Sequence, residues 1–122
     1  MQLTRDSSAI HVIRAWEPGR VRIAERWIAG NVIVGADRII EGWTTTRPDA
    51  LTVVDLQAAL ALDPTIVVLG TGTEQVLPDV ELMAALAAHS IGLEIMSTPA
   101  ACRTFNVLLQ EQRRVVAALF NP

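Results

Sequence analysis

The chain has 122 residues, 51% of them apolar and 19% charged, with a net charge of -3. That length suits one domain around a single core and is short for two. The apolar content excludes a disordered chain, and the acidic balance offers no basic face for nucleic acid or an anionic membrane surface.

All ten basic residues are arginines. The lone cysteine, Cys102, excludes an internal disulfide and a multi-cysteine metal cluster. Residues 1–14 carry Arg5 and Asp6 and no apolar stretch of signal-peptide length. No segment reaches the ~20 apolar residues of a membrane span. The expectation is a cytoplasmic protein without membrane insertion, a nucleic-acid partner, a bound metal or a cofactor.

The first part of the chain, to about Trp43, reads as β structure. Ile10 and Val12 alternate with His11 and Ile13, and Glu17-Pro18-Gly19 is a turn signal. Arg20-Val21-Arg22-Ile23 alternates polar and apolar, as a half-buried strand does. Asn31-Val32-Ile33-Val34 and Arg38-Ile39-Ile40 are two further short strands, joined tightly enough by Gly35-Ala36-Asp37 for a hairpin. The pattern predicts an antiparallel meander with one wet face.

From Thr52 onward helices and strands alternate. Thr52 is placed to cap a helix over 53–60, with Asp55 completing an approximate capping box and Asp63-Pro64 ending it. Thr65-Ile66-Val67-Val68-Leu69 reads as a buried central strand, broken by Gly70-Thr71-Gly72-Thr73. A second helix starts near Pro78-Asp79 and closes at His89, with Leu82, Met83 and Leu86 as its apolar stripe. A strand over 91–96 follows. Thr98 then caps a third helix with Pro99 at its first position, running to about Arg113. The apolar run 115–120 is either a strand or a helix extension. The predicted architecture is α/β: a single three-layer domain over 1–122, with the N-terminal antiparallel β portion packed on a β-α-β-α-β-α unit.

Two stretches are candidate sites. Gly70, Thr71 and Gly72 follow a buried strand, where α/β proteins bind ligands. The spacing fits neither a dinucleotide fingerprint nor a Walker loop, because the third glycine and the lysine are missing and the helix starts too late. A structural turn is the plainer reading. The second stretch, 96–106, joins a strand end to a helix N-terminus, which attracts anions. Arg103 and Asn106 share one helix face and, with Gln110 and Arg113, form a polar stripe. If that stripe faces a crevice, Arg103 is a carboxylate or phosphate clamp; otherwise it is a solvated face. Cys102, Phe105 and Leu109 follow the apolar spacing, so Cys102 reads as a core residue ahead of a reactive thiol. His11 and His89 have no metal-like neighbours. Trp16, Trp27 and Trp43 read as packing residues, with a partner surface as the sharper alternative.

The run Met96-Ser97-Thr98-Pro99-Ala100-Ala101-Cys102-Arg103-Thr104-Phe105-Asn106-Val107-Leu108, with Glu111, Arg113, Ala118-Leu119, Gly70-Thr71-Gly72 and Trp43, resembles the family catalogued as domain of unknown function 498. That family includes the mitochondrial respiratory complex I assembly factor 3 and small bacterial and archaeal single-domain proteins. The resemblance implies a three-layer α/β fold and an interaction or assembly role, with another assembly factor or a respiratory-complex subunit as partner. It brings no catalytic residues. Gly70, Gly72, Thr98, Cys102, Arg103, Thr104 and Asn106 mark the family, while Phe105 stands where tyrosine is usual and Gln112 where glycine is common. Two functions remain open: a non-catalytic interaction protein, or a small-molecule or anion-binding domain, possibly an enzyme, with a crevice between residues 70–73 and 98–106 lined by Gly70, Thr71, Gly72, Thr98, Arg103, Thr104 and Asn106.

Overall fold

A computed structural model describes residues 11–122; the expectations for residues 1–10, Ile10 included, lie outside that range. Among the described residues eight strands form two sheets. β1 (Ile13–Glu17), β2 (Arg20–Ile23) and β3 (Arg26–Ala29) make an antiparallel meander. The second sheet has five strands: β4 (Val32–Val34), β5 (Ile39–Glu41), β6 (Ile66–Gly70), β7 (Gly92–Met96) and β8 (Val115–Leu119), in the order β5-β4-β8-β6-β7. β6 runs parallel to β7 and β8, and β4 runs antiparallel to β5 and β8.

The layers follow from side-chain alternation. Ile66, Val68, Val115 and Ala117 point to one face of the large sheet and Val67, Leu69, Val116 and Ala118 to the other. The first face is covered by the meander, through Val21, Ile23 and Ile28, and by α3 (Thr98–Gln110), through Ala101, Cys102, Phe105 and Leu109. The second is covered by α1 (Gln57–Leu60) and α2 (Val80–Ala88), through Ala59, Leu82 and Leu86. The β6–α2–β7 connection steps outward to the sheet edge, and β7–α3–β8 steps back across β6. Crossovers of one hand that step in opposite directions lay their helices on opposite faces.

The predicted meander divides in two. Val32, Ile33 and Val34 are all fully buried, so β4 has no wet face and joins the central sheet with its hairpin partner β5. β3 had no counterpart in the sequence reading, because the two-residue turn before it, Ala24-Glu25, lacks glycine or asparagine although Ala24 has φ 54°. The helix expected over 53–60 shrinks to α1. Asp55 does accept hydrogen bonds from the Thr52 N–H (2.9 Å) and hydroxyl (3.0 Å), but the β-branched Val53 and Val54 sit in successive tight turns before the helix. The run 115–120 is strand β8 with one residue beyond it. Met83 is 41% exposed, outside the buried stripe of Leu82 and Leu86.

Helix ends explain two further details. α3 is capped by Ser97, whose hydroxyl accepts from the Ala100 N–H at 3.4 Å; Thr98 is the first helical residue and Pro99 the second. The helix stops at Gln110, and Gln112 takes φ 62°. Gln112 N–H donates to the Leu109 carbonyl (3.0 Å) and Arg113 N–H to that of Leu108 (3.1 Å), which is a Schellman closure. The left-handed position in that closure favours glycine, and this chain holds it with glutamine. Arg113 therefore lies beyond the helix and off its polar stripe.

Candidate functional site

The carboxyl ends of β6, β7 and β8 meet the start of α3. Parallel neighbours on both sides of β6 make this the place where an open α/β sheet would offer a ligand crevice. Here Thr98 fills it. Its N–H donates to the Gly72 carbonyl (2.7 Å), its hydroxyl accepts from the Gly72 N–H (2.8 Å), and that hydroxyl donates to the Phe120 carbonyl (2.7 Å). Thr98 is fully buried. Gly70 makes room for it, since a Cβ at that position would lie 2.9 Å from Thr98 Cα and 3.0 Å from both Thr98 Oγ1 and Leu119 Cδ2. Thr71 Oγ1 donates to the Glu74 carbonyl (2.6 Å) and accepts from the Val76 N–H (2.9 Å), closing the loop on itself. Gly70, Gly72 and Thr98 thus lie together, while the Thr71 hydroxyl turns to Glu74 and Val76 within its own loop.

Asn121, one step past Phe120, extends the closure. Its N–H donates to Asn31 Oδ1 (2.8 Å), its Nδ2 to the Gly30 carbonyl (3.1 Å), and its Oδ1 accepts from Trp16 Nε1 (3.3 Å). Trp43 packs edge-on against Phe120 at 5.2 Å and donates to the Leu119 carbonyl at 3.2 Å. Trp16 and Trp43 therefore tie the β portion to the end of β8. Trp27 is 37% exposed, with the Arg20 guanidinium 4.0 Å above its ring.

The other candidate residues on α3 do different work. Asn106 clamps β1: its Oδ1 accepts from the Ile13 N–H (2.8 Å) and its Nδ2 donates to the Ile13 carbonyl (2.9 Å). The β1–β2 register shifts between Ile13 and Ala15, so the clamp occupies backbone groups at a bulge. Thr104 Oγ1 lies 3.3 Å from Met96 Sδ. Arg103 is exposed, makes no hydrogen bond or ion pair among the described residues, and lines a hollow of about 240 Å³ with Arg14, Trp16, Pro99 and Asn106. Its facing wall is β1; residues 70–73 are not part of it. Cys102 is buried, and that burial pushes its thiol up to about 12, against smaller lowering influences from Arg103 and a backbone hydrogen bond. His89 caps the C-terminal end of α2, and His11 Nδ1 lies 3.2 Å from the Gly35 carbonyl.

A larger hollow, about 620 Å³, opens at the opposite end of the sheet, at the amino ends of β6 and β8. Arg38, Arg113 and Arg114 line it above an apolar floor that includes Leu62, Pro64 and Val116. Sequence reasoning missed it because its walls come from three separate turns. The available cue was the Arg113-Arg114 pair beside a fully apolar strand. Among the described residues no group of His, Cys, Asp and Glu could hold a metal ion, and no helix is long and apolar enough to cross a membrane.

The family profile described as "Protein of unknown function (DUF498/DUF598)" matches residues 13–120, and the chain belongs to that family. It is 31% identical over 122 residues to a zebrafish (Danio rerio) protein named NADH dehydrogenase [ubiquinone] 1 alpha subcomplex assembly factor 3, covering 98% of this chain and 70% of that one. Over 60 residues it is 37% identical to a "13 kDa major membrane protein" of Francisella tularensis, about half of each chain (49%). Among solved structures, a Bordetella parapertussis protein superposes with TM-score 0.84 at 32% identity, covering 93% of this chain and 97% of the other. A Bordetella pertussis protein described as a Mth938-like domain superposes with TM-score 0.81 at 27% identity, covering 99% and 92%.

Proposed function

We propose that this chain works by binding a protein, as a non-catalytic member of the machinery that assembles a respiratory complex, with another assembly factor or a respiratory-complex subunit as its partner. The relative named assembly factor 3 supports the setting, since the likeness runs through almost the whole chain. The observation that carries the contact is the outer side of α2 and the loop before it. Leu77 is 63% and Val80 72% exposed beside Met83, and only Glu81 is charged in the helix. A surface helix normally turns a charged face outward; one that stays apolar is suited to a partner's apolar surface. The same reading has the chain acting from the cytoplasm.

The test is a pull-down from native cells with the wild-type chain and with a Val80→Glu/Met83→Glu variant, followed by identification of the captured proteins. Recovery of a respiratory subunit or assembly factor by the wild type and its loss in the folded variant is expected. Capture of neither class by the wild type, or equal capture by both chains, contradicts the reading.

The second reading, an anion-binding domain, is favoured by Arg103 and Arg14 on their shared hollow. It predicts that phosphate shifts the amide resonances of residues 98–103. Unmoved amides there at millimolar phosphate would remove it.

A further inference from the structure

The hollow at the amino ends of β6 and β8 gathers three of the chain's ten arginines, although the chain as a whole is acidic. Arg38 comes from the turn after β4, Arg113 and Arg114 from the turn after α3, and the α1–β6 loop closes the third side with Leu62 and Pro64. Among the described residues the lining holds one carboxylate, Asp37. Arg114 is fixed, with Nε donating to the Asp63 carbonyl at 3.0 Å and a terminal nitrogen 3.8 Å from Asp63 Oδ2. Arg38 and Arg113 are exposed and have no hydrogen bond or ion pair among the described residues.

The walls are set by specific backbone. The β4–β5 turn is closed by the Gly35 N–H to the Arg38 carbonyl at 2.8 Å. Gly35 seats this turn on the floor, where a Cβ would come 3.2 Å from Leu62 Cδ1. The other two walls turn at Asp63 (φ 57°) and Gln112 (φ 62°), non-glycine residues held left-handed. Like charges gathered on one rim repel, and an anion between them relieves that repulsion. A guanidinium fork matches the planar geometry of a carboxylate or the oxygens of a phosphate. The floor beneath is apolar, and the volume falls in the range of small-molecule sites.

We propose that this hollow binds a small organic anion that joins a carboxylate or phosphate head to an apolar body, the head on Arg38 and Arg113 and the body over Leu62, Pro64 and Val116. The site is independent of the α2 surface and of the Arg103 hollow. The test is a titration of the full isotope-labelled chain, followed through its amide resonances, with octanoate and with octyl phosphate. Octanol, octylammonium and an oligoglutamate peptide serve as comparison probes. Saturable shifts at residues 35–38, 61–63 and 113–116 are expected with one or both anions, and the stronger of the two identifies the head group. Octylammonium should produce none. In an Arg38→Gln/Arg113→Gln variant of unchanged melting temperature, affinity should fall by about tenfold or more. The proposal is overturned by the absence of saturable shifts with either anion, by octanol binding as well as octanoate, by a variant that binds like wild type, by shifts confined to residues 98–103, or by binding of the peptide alone.

Discussion

The two ends of the central sheet do opposite things. At the carboxyl ends of β6 and β8, where an α/β sheet of this topology would open a crevice, Thr98 and Asn121 stitch strand to strand and leave the backbone groups they meet satisfied. At the amino ends, three turns leave a hollow of about 620 Å³ rimmed by arginines. Gly70, Gly72 and Thr98 sit together at the closed end, while Asn106 and Arg103 face β1. The closed-end contacts need no ligand: Gly70 admits Thr98, and Thr98 satisfies groups that burial would otherwise orphan.

The sharpest way to break this comparison is to open the closed end. Thr98→Val keeps the shape but strands the Gly72 N–H and the Phe120 carbonyl in a buried setting, and should cost about 3–5 kcal/mol in a urea melt. A loss under about 1 kcal/mol would mean the hydroxyl is not holding the strand ends together. Gly70→Ala should cost about 2–3 kcal/mol, because the new Cβ meets the Thr98 backbone and no flexible side chain can give way. Asn106→Ala releases the Ile13 backbone and should cost about 1–2 kcal/mol, read out by faster amide exchange at Ile13. Gln112→Gly should stabilise by about 0.5–1 kcal/mol, the left-handed cost removed less the entropy glycine loses. Smallest of all, Arg38→Gln with Arg113→Gln at the open end should leave stability within about 0.5 kcal/mol, since both side chains are exposed.

Cys102 gives a pH test of the same core. Burial pushes its thiol up to about 12 in the folded chain, from an ordinary value of 9.0. The folded state therefore prefers the protonated thiol. Its contribution is fully present below the unfolded value and is lost as pH rises toward 12. Stability should fall across that alkaline window, and Cys102→Ala should flatten the slope. Alkylation at neutral pH should be slow in the native chain and fast in urea.

Much of the fold was readable because its central strands are nearly pure apolar runs, as at 65–69 and 115–120, and because α3 carries cap, proline and stripe in order. What escaped was set by tertiary contacts. Thr98 reads as a cap from its type and neighbours, yet its hydroxyl is drawn to Gly72 and Phe120, and Ser97 caps instead. Asn106 reads as part of a wet stripe, yet it faces a bulge in β1 93 positions earlier. β3 hides behind a turn without glycine, and the arginine hollow is assembled from three loops whose proximity no local pattern encodes.

The closed end is tested most directly by native-state amide exchange at Gly72 and Thr98. Both N–H groups should exchange as slowly as those within β6, opening only with global unfolding, and the Gly72 amide should lose that protection in Thr98→Val. Exchange at Gly72 as fast as in an exposed loop would contradict the account, because the crevice would then be open to solvent and free to take a ligand.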